Sequence, residues 1–146
     1  MAGLAIRVLV ADDYEPLRRF VSSTLEKLPQ LKLVGEATDG LEALQKAQEL
    51  QPEIILLDVN LPKLNGFEVA RRIREHIPQL KIVLFSADRS FDVAEDAMRM
   101  GAVGYLVKSD AGTELIPALE AALQGKYYVS SSLAGRVFRA PQPAAL

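Results

Sequence analysis

The feature that most constrains this chain is an alternation of short apolar runs with longer segments of helical period, repeated five times along 146 residues. The runs at 6–10, 31–36, 54–57, 81–85 and 104–107 read as strands. Those that begin at Ile6, Ile54 and Lys81 are almost unbroken Val, Ile and Leu, as expected of strands covered on both faces. Between them apolar positions recur at three and four: Leu17, Phe20, Val21, Thr24 and Leu28 in the first such segment, Phe67, Ala70, Ile73 and Ile77 in the third. Repeated strand-then-helix units specify a doubly wound parallel sheet, because parallel neighbours need a crossover long enough to carry a helix. The helix that opens at Phe91 turns only Val93, Ala94, Ala97 and Met98 inward, so it should be the most loosely held. With Thr113 as the N-cap of the last helix, Pro117 falls in its first turn, where no intrahelical bond is lost.

Size and charge narrow the possibilities. A chain of this length with 49% hydrophobic residues buries about two-thirds of its unfolded surface and needs no disulfide or structural metal. It has no Cys, which excludes thiolate metal sites and cysteine nucleophiles and fits a reducing cytoplasm. A formal net charge of -2 supplies no footprint for nucleic acid, so direct binding to DNA by this chain is not expected. The apolar start, interrupted by Arg7, reads as a strand and not as a signal peptide, and no run reaches the ~20 apolar residues of a membrane helix. Beyond Gly125 the pattern decays through 126–132 and 133–139 into a Pro/Ala tail at 140–146, so residues 5–125 are read as one domain and 126–146 as a linker or tail.

In an open sheet of this kind ligands bind beyond the carboxyl ends of the strands. Strand one ends in Asp12 and Asp13, strand three in Asp58, strand four in Ser86 and strand five in Lys108. Taken singly, the acids and Ser86 are ordinary turn formers, and Lys108 is a snorkelling surface lysine. Placed together on one rim they say more. Three converging carboxylates repel one another unless a cation joins them, and oxygen ligands without His or Cys select a hard ion such as Mg²⁺. Lys108 and Ser86 then complement a phosphoryl group, which makes the rim a candidate phosphoryl-transfer site.

These positions carry a resemblance. Val8-Leu9-Val10-Ala11-Asp12-Asp13, Ile54-Ile55-Leu56-Leu57-Asp58 with Leu61-Pro62 and Asn65-Gly66, Phe85-Ser86-Ala87, and Gly101-Ala102 with Gly104-Tyr105-Leu106-Val107-Lys108 resemble the receiver domain of two-component response regulators. The segment Gly125-Lys126-Tyr127-Tyr128-Val129-Ser130 is similar to the junction after receivers of the NarL/FixJ (LuxR-type) subfamily. The resemblance implies a flavodoxin-like α/β fold of five strand-helix units with a five-stranded parallel sheet in the order 2-1-3-4-5. It implies that Asp58 accepts a phosphoryl group from a sensor histidine kinase or a small phosphodonor, that Asp12, Asp13, Asp58 and Asn60 serve Mg²⁺, and that Ser86 and Lys108 assist. Asn60 and Asp88 would tune the phosphoryl lifetime. Ser86 and Tyr105 would form the switch pair, although by itself Tyr105 reads equally as a half-exposed strand aromatic. The output face would be the helix from Phe91, strand five and the last helix.

The family implies a cytoplasmic regulator without turnover chemistry beyond its own phosphorylation and dephosphorylation, with a homodimer among its possible assemblies. DNA would be reached only through a helix-turn-helix domain that these residues do not supply. Many receivers place proline after the lysine; here Ser109 stands there, so the loop geometry is open. A flavin binder would need a Gly- or hydroxyl-rich first loop where Ala11-Asp12-Asp13-Tyr14-Glu15 is acidic, and an aspartyl phosphatase a second acid where Asn60 stands. The alternative with most weight is a stand-alone or degenerate receiver that acts only as a protein-interaction module. His76 reads as a helix C-terminal charge, and Arg71, Arg72 and Arg74 as that helix's solvated face.

Overall fold

Every apolar run forms a strand, and four of the five extend one residue further toward the carboxyl end than their hydrophobicity suggests. The structure, a computed structural model, describes residues 5–133. In order, the elements are β1 (Ile6–Ala11), α1 (Glu15–Glu26), β2 (Leu31–Ala37), α2 (Gly40–Leu50), β3 (Ile54–Asp58), α3 (Gly66–His76), β4 (Lys81–Ser86), α4 (Phe91–Arg99), β5 (Gly104–Val107), a 3-10 turn Lys108–Asp110, α5 (Ala111–Leu123), β6 (Tyr128–Val129) and a 3-10 turn Ser131–Leu133. The strands pair in parallel in the order β2-β1-β3-β4-β5-β6. The flavodoxin-like fold and the order of the first five strands stand as expected; the sixth strand is additional.

Alternation along each strand divides the core in two. Val8, Val10, Ile54, Leu56, Val83, Phe85 and Leu106 face α1 and α5, where they meet Val21, Leu25, Leu115 and Leu119. Leu9, Ala11, Ile55, Leu57, Ile82, Leu84 and Tyr105 face α2, α3 and α4, where they meet Ala43, Ala47, Val69, Ile73, Ala97 and Met98. Both faces of the central strands are therefore dry, and that is why their sequence runs without polar alternation. The helix starts are set by short polar side chains that accept otherwise orphaned amides: Asp39 from Glu42 at 2.8 Å, Asn65 from Glu68 at 2.9 Å and Ser90 from Val93 at 3.3 Å. The fully buried side chains of α4 are Ala94, Ala97 and Met98, a small apolar footprint.

One expectation gives way. Thr113 is not the cap of the last helix. The turn Lys108–Asp110 feeds directly into α5 at Ala111, so Pro117 lies inside the helix. It is tolerated because Pro117 and Thr113 both lie on the exposed face, where water reaches the carbonyl that receives no amide. Regular structure continues past Gly125. After it the chain adds β6 to the open edge of β5, with Tyr128 opposite Gly104 and Val129 opposite Tyr105, and Leu133 is 5% exposed. The rest of 133–139 and the 140–146 tail lie outside the described residues. Among the described residues no helix is long and apolar enough to cross a membrane.

Candidate functional site

The rim residues named from the sequence meet at the carboxyl ends of β1, β3, β4 and β5. Asp12 and Asp58 are buried, at 0% and 2% exposure, whereas Asp13 faces solvent. One carboxylate oxygen from each of Asp12, Asp13 and Asp58 lies within 4.8 Å of the others. Lys108 Nζ lies 2.7 Å from Asp12 Oδ2 and 3.2 Å from Asp58 Oδ2. The convergence follows from topology: neighbouring parallel strands that end at one level deliver their next residues to one crevice.

Backbone amides hold the two buried acids in place. Asp12 Oδ1 accepts from the amide of Tyr14 at 2.8 Å, and Asp58 Oδ1 from the amide of Asn60 at 3.1 Å. The β3–α3 loop can lie this close only because Gly66 has no side chain. A Cβ there would stand 2.2 Å from the Asp58 carbonyl oxygen and 2.7 Å from Val59 Cα. The amide of Gly66 instead donates to the Val59 carbonyl at 2.7 Å.

Charge is unevenly matched here. Three carboxylates face one ammonium, and at these separations each like pair costs on the order of 3 kcal/mol at an effective dielectric near 20. Burial pushes the Asp58 carboxyl above its ordinary range; the Asn60 amide opposes this, Asp12 adds to the rise and Lys108 lowers it, with the balance upward. Burial pulls the Lys108 ammonium down, but Asp12 and Asp58 outweigh it and its pKa is raised on balance. Lys108 approaches Asp12 Oδ2 as an ion pair, yet no donor meets that buried oxygen in hydrogen-bonding geometry. An all-oxygen donor set with excess negative charge fits a small hard dication.

The second tier is equally definite. Ser86 is buried, and its Oγ accepts from the Asp88 amide at 2.9 Å. Tyr105 is fully buried, not half exposed, and its hydroxyl donates to the Asp88 carbonyl at 2.8 Å. Burial raises the phenol's pKa, with Ser86 opposing and Asp88 adding to the rise. Asn60 and the Asp88 side chain lie at the exposed mouth. Ser109 Oγ accepts from Arg89 at 3.0 Å, a bond that joins the two loops beside the pocket, and no cis peptide occurs among the described residues.

Sequence reasoning missed Arg18. Its guanidinium donates to the Asp12 carbonyl at 2.8 Å and pairs with Glu36 at 2.9 Å, which ties the first acidic loop to the end of β2. Its place in the first turns of the helix after an acidic pair was the available signal. The arginines of α3 are surface groups as expected. Arg71 and Arg72 pair with Glu68, whose carboxyl they hold down at about 2, Arg71 contributing most.

A family model described as the response regulator receiver domain matches residues 8–120. The chain belongs to that family. Among curated relatives, this receiver is 34% identical over 139 residues to the response regulator GacA of Pseudomonas protegens, covering 94% of this chain and 65% of that one. With the nitrate/nitrite response regulator protein NarL of Escherichia coli it shares 35% identity over 126 residues, covering 86% and 58%. A crystal structure of a two-component response regulator of the LuxR family from Aurantimonas superposes with a TM-score of 0.85 at 32% identity, covering 90% and 94%. The receiver thus spans less than two-thirds of the length of these curated relatives, which are of the NarL/LuxR type.

Proposed function

We propose that this receiver accepts a phosphoryl group on Asp58 from a phosphohistidine of a sensor kinase, or from a small phosphodonor, in a Mg²⁺-dependent step. The supporting observation is the placement of Asp58 Oδ2 3.2 Å from Lys108 Nζ and within reach of Asp12 and Asp13. Asp13, Asp58 and the Asn60 carbonyl would hold the ion directly, with Asp12 linked through water. When bound, the ion neutralises the carboxylates and the equatorial phosphoryl oxygens. An Asp58 carboxylate oxygen attacks phosphorus in line. The bond from phosphorus to the donor's nitrogen or oxygen breaks, and the leaving group takes its electron pair. Lys108 pairs with one phosphoryl oxygen, and the fixed carboxylate supplies the nucleophile already oriented. Water later cleaves the acyl phosphate, with Asn60 and Asp88 at the mouth setting its access, so the domain is a switch and not a turnover enzyme.

Ser86 and Tyr105 transmit the change. A phosphoryl oxygen that draws the Ser86 hydroxyl toward it would pull on the Asp88 amide bonded to that hydroxyl, and so on the loop whose carbonyl Tyr105 holds. The loop leads into α4, whose small apolar footprint makes it the cheapest element to shift. Residues 5–125 form the phosphoacceptor unit in this reading, and 126–146 connect it to an effector that controls transcription. Intact mass after incubation with acetyl phosphate and Mg²⁺ tests the proposal. Wild type should gain one phosphoryl group and Asp58→Asn none; an equal gain in both removes Asp58 from the role.

A further inference from the structure

Ser130 lies beyond residue 120, where the family match ends, yet it is fully buried. Its Oγ accepts from the Val107 amide at 2.7 Å, and its own amide donates to the Tyr105 carbonyl at 3.0 Å. The ladder between β5 and β6 ends at the pair Tyr105 and Val129, so no β6 carbonyl is there to receive the Val107 amide. Val107 is itself fully buried, and an unmet amide there would cost about 1–3 kcal/mol. The serine side chain replaces the missing strand partner. The consequence falls on the next residue, because Val107 caps the turn Lys108–Asp110 that carries the pocket's ammonium.

Ser130 is held independently. Glu114 of α5 accepts from the Tyr128 hydroxyl at 2.8 Å, from the Ser131 amide at 3.0 Å and from the Ser131 hydroxyl. Val129 and Leu133 pack into the core on the α2, α3 and α4 side. Tyr105 connects the two regions: its carbonyl serves Ser130, and its hydroxyl serves the loop after Ser86.

We infer that Ser130 is a positioning residue for Lys108, and that through its bonds to Val107 and Tyr105 the segment 126–133 senses the phosphoacceptor pocket and passes its state to the chain beyond. This rests on the phosphoryl-transfer reading of the site. A phosphoryl group on Asp58 draws Lys108 and the end of β5 toward itself. A hydrogen bond tolerates less than an ångström of such movement, so the Ser130 contact weakens and the segment loosens. By reciprocity, loosening the segment alters how well Lys108 meets the phosphoryl group.

The test uses the full chain. Wild type, Ser130→Ala, Ser130→Thr and Asp58→Asn are incubated with acetyl phosphate and Mg²⁺, and both intact mass and amide hydrogen exchange in 126–133 are followed. Ser130→Ala should take up phosphoryl about tenfold more slowly at saturating donor, and Ser130→Thr, which keeps the γ-hydroxyl, should recover to within about twofold. Exchange in 126–133 should quicken on phosphorylation of wild type and stay unchanged in Asp58→Asn; this arm needs no Ser130 variant to fold. Phosphorylation of wild type without any change in exchange, or a Ser130→Ala rate equal to wild type, overturns the inference alone. No mass gain in wild type overturns the phosphoacceptor reading and this inference with it.

Discussion

Asp58 and Glu114 are both buried acids in one small domain, and their surroundings are opposite. Glu114 is surrounded by neutral donors, a phenol, an amide and a hydroxyl, with both of its oxygens engaged. Asp58 has one amide and a lysine shared with Asp12, and it shares its crevice with two more carboxylates. The first arrangement is complete and fastens one piece of chain to another. The second carries surplus negative charge in a low-dielectric place, which costs stability and leaves the carboxylate ready for a cation and an electrophile. Burial of an acid does not mark function; the character of its neighbours does.

The contrast can be broken at either end. The largest effect should come from Lys108→Ala, which removes the ammonium that, in the proposed reaction, meets the phosphoryl group. Phosphorylation by acetyl phosphate should slow by about 100-fold, read as the rate of mass gain. Next is Glu114→Ala, which strands the Tyr128 and Ser131 donors and should lower the unfolding free energy by about 2 kcal/mol in urea titration. The uptake rate should fall with it only so far as segment 126–133 detaches.

Asp58→Asn should act in the other direction and stabilise the fold by about 1 kcal/mol at neutral pH without divalent ions. Mg²⁺ should stabilise wild type and leave the Asn variant nearly unmoved. The sign follows from the raised pKa. Above its folded-state value Asp58 is ionised in both states and the full penalty applies; the penalty shrinks as pH falls below that value and is gone under the ordinary 3.8. The gap between the two proteins should therefore close on acidification, in a series of thermal melts. Smallest is Tyr128→Phe, worth about 0.5 kcal/mol at neutral pH. Burial first, then Glu114, raises the Tyr128 phenol from 10.0 to about 12. Its stabilising share is present below pH 10.0 and lost as pH rises toward about 12, so the phenylalanine variant should lack that alkaline limb.

Much of the reactive end could be read from the sequence, and little of the structural end. Asp12, Asp13, Asp58, Ser86 and Lys108 each follow an apolar strand, so local period and topology together place them on one rim. The strands stop one residue late at Asp58 and Ser86 because those side chains are buried in spite of their polarity. Tyr105 was ambiguous for a related reason: alternation assigns it a face, but only the partner of its hydroxyl shows that the face is sealed. Glu114 and Ser131 gave no signal, and Ser130 showed only as the last residue of a junction motif, without a structural role. Their bonds join residues far apart in sequence, and a helical Glu followed by a Ser-rich stretch has the pattern of a solvated helix and a linker. The start of α5 was misplaced because the 3-10 turn after Lys108 runs into it without a side-chain cap.

The two residues of β6 matter beyond their number. They occupy the hydrogen-bonding groups along the outer side of β5 that would otherwise be open to pairing. A fragment trimmed at Gly125 would expose a flat row of amides and carbonyls from Gly104 to Val107, a template for intermolecular strand addition. Aggregation of such a fragment would then reflect where it was cut, and not any weakness in the core it retains.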